Sequence, residues 1–256
     1  MAAPRAVIFG CAGPRLTKAE AAFFRASDPW GFILFARNIE DPAQLTALTQ
    51  DLRASVGRNA PVLIDQEGGR VARMTAPHWT EWPNALPFVE ALPPSARPRA
   101  MELRYQLIAQ ELMACDIDAN CAPMADVAGP VTHPQIRHRC YSTDPAEVAL
   151  LGASVVEGLR RGGVLPVLKH APGHGRTPLD SHIDLPMVSE PLDVLASSDF
   201  IPFAALRDLP LAMTSHIVVS ALDADWPVTL SAAAITYLRE TLGLSGLLMT
   251  DDIAMG

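Results

Sequence analysis

Val164-Leu165-Pro166-Val167-Leu168-Lys169 decides the fold. The run is apolar without alternation until it ends in a charge, which is how a strand covered on both faces reads. A helical pattern over residues 145–161 precedes it. Asp144 is placed to cap that helix, Pro145 stands at its first position, and Gly162-Gly163 stop it. The same signals recur in both directions. Apolar runs lie at residues 6–10, 31–35, 61–65 and 119–121 on one side, and at 211–216 and 246–251 on the other. Helical patterns fall between them at 17–26, 42–56, 98–114, 198–208 and 232–242, with Asp41 and Ser231 as further caps. Repeated strand and helix predict a parallel sheet with right-handed crossovers. No Gly-x-Gly-x-x-Gly follows the first strand, so a (β/α)8 TIM-type barrel is expected, with a doubly wound sheet as the alternative.

The 256 residues suit one barrel, and 1–256 are expected to form a single catalytic domain. The chain ends just after the seventh run, so the barrel is expected to lack its last strand and helices here. Hydrophobic residues make up 49% and charged residues 19%, enough apolar side chain for a sizeable core. The net charge of −8 and the lack of a basic run argue against nucleic acid or an anionic membrane surface as a general partner. No apolar stretch is long enough to span a bilayer, and none near Met1 reads as a secretory signal. Cys11, Cys115, Cys121 and Cys140 form no Cys-x-x-Cys pair. A cytoplasmic protein with reduced thiols is expected.

Polar residues gather where the strands end. The third run leads into Asp65-Gln66-Glu67-Gly68-Gly69-Arg70, with Arg73 beyond. The fifth ends in Lys169-His170, the sixth in Ser215-His216 and the seventh in Asp251-Asp252. A barrel brings all these ends to one face, where chemistry is carried out. The loop from Lys169 to His182 holds His170, His174 and His182, with Asp180 two residues before the last. Asp180 can fix the His182 tautomer for proton transfer. The three histidines also suggest a metal-dependent hydrolase, although their spacing matches no standard zinc motif. Asp251, at a strand end, suits a nucleophile. Asp252 suits a helix cap, since adjacent strand residues point to opposite sides. Ser215 and His216 either line the mouth or cap a loop.

Three segments resemble glycoside hydrolase family 3, in its bacterial β-N-acetylhexosaminidase (NagZ-type) branch. They are Leu63-Ile64-Asp65-Gln66-Glu67-Gly68-Gly69-Arg70-Val71, Lys169-His170-Ala171-Pro172-Gly173-His174-Gly175 through Asp180-Ser181-His182, and Met249-Thr250-Asp251-Asp252. Leu34-Phe35-Ala36-Arg37-Asn38 is similar to an earlier family segment. The resemblance implies a TIM barrel and a retaining mechanism. It makes Asp251 the nucleophile and His182, paired with Asp180, the general acid and then base. It assigns Asp65, Arg73, Lys169 and His170 to the sugar. Ile136-Arg137-His138-Arg139-Cys140-Tyr141 resembles the family's Ile-Gly-x-Arg-Ser-Phe, which adds Arg139 to the sugar site. Arg137 replaces the Gly there and Cys140 the Ser, while Ala171 replaces a usual aromatic. The implied substrate is terminal β-linked N-acetylglucosamine on muropeptide fragments, including one joined to anhydro-N-acetylmuramic acid, in peptidoglycan recycling. No metal or organic cofactor is implied. A non-catalytic, truncated relative that binds amino sugars through Asp65, Arg73 and Lys169 is the remaining alternative.

Overall fold

Each apolar run becomes a strand and the capped patterns become helices. The computed structural model describes residues 3–177 and 185–253. The first half runs β1 (Arg5–Phe9), α1 (Lys18–Ser27), β2 (Pro29–Leu34), α2 (Pro42–Val56), β3 (Val62–Ile64), α3 (Ala85–Glu90), α4 (Arg97–Met113) and β4 (Ala119–Asn120). The second runs α5 (Pro134–Arg137), α6 (Pro145–Arg161), β5 (Leu165–Ala171), β6 (Met187–Val188), α7 (Leu192–Ala196), α8 (Ile201–Ala205), β7 (Leu211–Thr214), β8 (Val218–Val219), α9 (Ala232–Thr236) and β9 (Leu247–Met249). The expected caps are in place. Asp41 accepts from the Gln44 amide at 2.9 Å, Asp144 from Ala146 at 2.9 Å and Ser231 from Ala234 at 3.0 Å. Thr17 and Glu20 form a reciprocal capping box on α1.

Seven strands form one parallel sheet in the order β1-β2-β3-β4-β5-β7-β9. That order follows the chain without reversal. A doubly wound sheet needs a reversal at its centre, so the barrel-type wall is the architecture and the alternative is set aside. Among the described residues β1 and β9 are the edges. The short β6 and β8 pair with each other outside this sheet.

The sheet curls around its own core. Leu63, Ala119, Cys121, Val167, Leu211 and Met213 form one buried cluster, joined by Ile8, Trp30, Ile33 and Met249. All seven strands or their immediate ends contribute to it, as only a sheet wrapped on itself allows. Two larger clusters lie between the sheet and its helices. One packs α2 and α4 on the β2–β3 side, including Leu48, Leu52, Tyr105 and Ile108. The other packs α8 and α9 on the β5–β7 side. Between them α4 and α6 cross closely at Gly158, where a Cβ would run into the Glu102 carbonyl.

Two helices are shorter than their patterns suggest. Residues 198–208 give helix only at Ile201–Ala205, with Pro202 in its first turn. A proline tolerated at the start of a helix cannot sit within one without breaking its ladder. Residues 232–242 give α9 and then a π-helical turn, Tyr237–Thr241, closed by the Leu242 amide on the Tyr237 carbonyl at 3.0 Å. No helix of the described residues is long and apolar enough to cross a membrane.

Candidate active site

Side chains alternate along a strand, so the residue two beyond an inward one faces inward again. Leu63, Val167 and Met249 belong to the inner core. Two residues on, past the apolar layer, stand Asp65, Lys169 and Asp251. The inner face thus changes from apolar to charged at the C-terminal mouth. The Lys169 ammonium is buried there and donates to Asp65 Oδ1 at 2.7 Å and lies 2.6 Å from Glu67 Oε1. The other oxygen of Asp65 meets the Arg73 guanidinium at 3.3 Å. Glu67 takes a two-pronged grip from Arg139, at 3.0 Å from Nε and 2.8 Å from Nη2. Burial alone would raise both carboxyl pKa values. The adjacent Lys169, with Arg73 or Arg139, outweighs it and holds both below the usual carboxylate range. Burial would likewise lower the Lys169 pKa, but Asp65 and Glu67 hold it above its usual value.

The loop carrying Asp65 and Glu67 is fixed by neighbours rather than by regular structure. Asn120 exchanges two hydrogen bonds with the Gln66 backbone, at 3.0 and 2.9 Å, which ties the loop to β4. Gln66 Oε1 accepts from the Arg73 and Met74 amides, at 2.8 and 3.0 Å. The chain then turns through Gly68 and Gly69, with φ of 97° and 59°. A Cβ on Gly68 would meet the Arg104 guanidinium and Trp82. Arg104, buried behind the turn, donates to the Glu67 carbonyl at 2.8 Å and the Pro83 carbonyl at 2.7 Å.

His170 faces the same mouth, and the Lys169–His170 peptide is cis. Its Nδ1 lies 2.7 Å from Asp126 Oδ2. That contact selects the tautomer in which Nδ1–H donates to the carboxylate. Nε2 is then turned toward Arg139 Nη2 at 3.5 Å and Asp251 Oδ2 at 3.9 Å. Asp126 is fully buried and also accepts the His174 amide at 2.6 Å. Burial opposes its ionisation, but His170 and His174 lower its pKa on balance. The His174 ring is buried 6.0 Å from that of His170, with Nδ1 against Thr177 Oγ1 at 3.0 Å. Burial pulls its pKa down to about 4, so it is neutral at pH 7.

The fold therefore brings together Asp65, Arg73, Arg139, Lys169, His170 and Asp251. Asp251 keeps 26% side-chain exposure and pairs with no Lys or Arg among the described residues. Asp180 and His182 lie outside the described residues. Arg139 is committed to Glu67. His216 tethers two loops, through Thr229 Oγ1 at 2.8 Å and the Asp252 carbonyl at 3.1 Å. Among the described residues no group of three His, Cys, Asp or Glu is arranged to hold a metal. His170 in particular turns its second ring nitrogen toward the Arg139 guanidinium, a poor setting for a cation. Glu67 and Asp126 were missed as site residues. Glu67 carried a signal in the quoted motif, whereas Asp126 carried none.

Residues 15–256 match the family model described as the glycosyl hydrolase family 3 N terminal domain. A β-hexosaminidase of Bordetella avium is 36% identical over 262 residues, covering 98% of this chain and 73% of that protein. A β-hexosaminidase of Methylococcus capsulatus is 34% identical, covering 97% and 74%. Among solved structures, NagZ from Neisseria gonorrhoeae in complex with N-trifluoroacetyl-D-glucosamine superposes with a TM-score of 0.90 at 31% identity. It covers 99% of this chain and 76% of that one. The family 3 β-N-acetylglucosaminidase of Paenibacillus sp. str. FPU-7 gives 0.90 at 30% identity, over 97% and 48%. With a parallel barrel wall, a charged mouth at its strand ends and relatives of this kind, the chain belongs to glycosyl hydrolase family 3 and is a glycoside hydrolase of the β-hexosaminidase type.

Proposed function

We propose that the protein is a retaining β-N-acetylglucosaminidase that removes terminal β-linked N-acetylglucosamine from muropeptide fragments during peptidoglycan recycling in the cytoplasm. The observation that carries this reading is the Asp251 carboxylate at the mouth, 3.9 Å from His170 and paired with no Lys or Arg among the described residues. At the same mouth Asp65 is held ionised between Lys169 and Arg73, ready to accept from sugar hydroxyls. An Asp251 oxygen attacks the anomeric carbon as the glycosidic oxygen leaves with a proton from His182. The resulting glycosyl ester is opened by water, whose proton returns to His182. Asp180 orients that imidazole and stabilises its charged form. The proton and bond changes balance without a metal or organic cofactor. Residues 1–256 act as one catalytic unit, and the substrate is a small carbohydrate.

The test is hydrolysis of 4-nitrophenyl N-acetyl-β-D-glucosaminide at neutral pH without added metal. The parent should turn over. Asp251→Ala should lose on the order of 1,000-fold or more, and His182→Ala about 100- to 10,000-fold. An Asp251→Ala variant with parental activity overturns the assignment. Activity abolished by a chelator and restored by zinc would favour the metal-dependent alternative.

A further inference from the structure

Asp251 is fixed through the peptide that follows it. Its Oδ1 accepts the Asp252 amide at 2.9 Å, while Oδ2 is the oxygen 3.9 Å from His170 Nε2. The Asp252 carbonyl is held in turn by His216 Nε2 at 3.1 Å. His216 is half-buried just past β7, and its Nδ1 lies 2.8 Å from the Thr229 hydroxyl. Thr229 meets the Thr214 hydroxyl at 2.9 Å. Three segments thus converge on the peptide that carries the nucleophile: the end of β7, the turn at Val228–Leu230 and the chain after β9.

Proton counting gives this chain of contacts one direction. A carbonyl only accepts, so in the neutral ring Nε2 carries the hydrogen and Nδ1 keeps a lone pair. The Thr229 hydroxyl has one proton. The Ser215 carbonyl lies 3.2 Å from it, but only donation to Nδ1 satisfies the ring. The Thr229 oxygen then accepts from Thr214, whose other acceptor, the Met249 carbonyl, is farther at 3.4 Å. The order is Thr214 to Thr229 to His216 to the Asp252 carbonyl. Its base is tied to the strand that carries His170. The Ser215 amide and hydroxyl both donate to the Ala171 carbonyl, at 2.9 and 3.1 Å.

We propose that His216 is a positioning residue for Asp251, and that Oδ2 is the oxygen that attacks. By holding the Asp252 peptide, His216 keeps Oδ1 on the amide and turns Oδ2 to the His170 side. The Oδ2 electron pair forms the bond to the anomeric carbon as the glycosidic bond breaks, and the leaving oxygen takes the His182 proton. The inference rests on the glycosidase reading above and adds to it how the carboxylate is aimed. A misplacement of about 1 Å costs on the order of 100-fold in rate.

Two substitutions of one residue test it. His216→Phe keeps a ring and loses both hydrogen bonds, whereas His216→Gln keeps a donor for the Asp252 carbonyl. On 4-nitrophenyl N-acetyl-β-D-glucosaminide, His216→Phe should lower kcat/KM about 10- to 100-fold. Calorimetric titration with N-acetylglucosamine should give the parental stoichiometry and a Kd within about twofold, since the sugar contacts are untouched. His216→Gln should recover most of the loss. Unchanged kcat/KM in His216→Phe, a glutamine variant no better than it, or a binding stoichiometry that falls in step with the rate overturns the proposal. Nitrogen-15 spectra of the neutral histidine rings read the chain of contacts without turnover. The signal lost in His216→Gln should belong to a ring protonated at Nε2, and protonation at Nδ1 overturns the proposal. A parent that leaves the aryl glycoside uncut refutes the glycosidase reading instead, and the ring spectrum still decides the hydrogen-bond chain.

Discussion

Lys169 shows how single residues hold this mouth together. Its buried ammonium is acceptable because two carboxylates share it, and those stay ionised because Lys169 itself, with Arg73 or Arg139, outweighs their burial. Removing one member strands the others. Glu67→Ala should therefore lower the unfolding free energy by about 3–5 kcal/mol, measured by urea denaturation, and a loss below about 1 kcal/mol would contradict the network. Asp126→Asn keeps the volume and one acceptor oxygen, which the His174 amide requires, so an NH2 donor faces His170 Nδ1 in place of the carboxylate and disfavours the present tautomer. It should cost roughly 10- to 100-fold in kcat/KM, with the fold intact by circular dichroism. Acid stability follows from the same residues. His174 titrates at about 4 when folded, against an ordinary value of 6.5. Below pH 6.5 the unfolded chain takes up that proton first, so stability falls as pH drops from 6.5 toward 4. Asp65, Glu67 and Asp126 have lowered folded pKa values. Their contribution is complete above the unfolded carboxyl range and is lost at still lower pH. Unfolding free energies measured across pH 4–7 should decline on acidification, and more shallowly in His174→Gln. An equal slope in the variant would assign the loss elsewhere.

At the scale of elements, legibility followed periodicity. The long patterns that became α2 and α6 carry caps, prolines and apolar faces, and the sequence places their ends well. The mouth was legible because a barrel gathers strand ends, which made Asp65, Lys169 and Asp251 neighbours before any coordinates. Asp126 was not legible. It lies beyond a two-residue strand, and its partner His170 is 44 residues away. No local pattern encodes such a contact. The same is true of Arg104, which reaches the Glu67 carbonyl across 37 residues. The α4–α6 crossing is another long-range fact. Gly158 reads in sequence as a weak helix residue, yet it admits the Glu102 backbone. Gly158→Ala should destabilise by about 1–3 kcal/mol although alanine favours helix. Activity per folded molecule should remain, and a stabilised variant would contradict the packing.

Across the whole molecule, the inner layer of apolar side chains supports the charged layer above it, and two outer cores clamp helices to the wall. All four cysteines are buried within these layers. Burial raises the Cys11 pKa to about 11 and also lifts those of Cys115, Cys121 and Cys140. A thiol-reactive chromogen should label the native protein slowly at pH 8 and the urea-unfolded protein at once, and rapid native labelling would contradict this packing. The nucleophile we propose for a retaining reaction is Asp251, at the end of β9 on the mouth of the sheet. Its most direct test is rapid acid quench of the enzyme during turnover of an activated aryl N-acetyl-β-glucosaminide, followed by peptide mass spectrometry. The account predicts one N-acetylhexosamine unit esterified to the peptide containing Asp251, and none in Asp251→Ala. An adduct on another residue, or product of inverted anomeric configuration with no adduct, would contradict it.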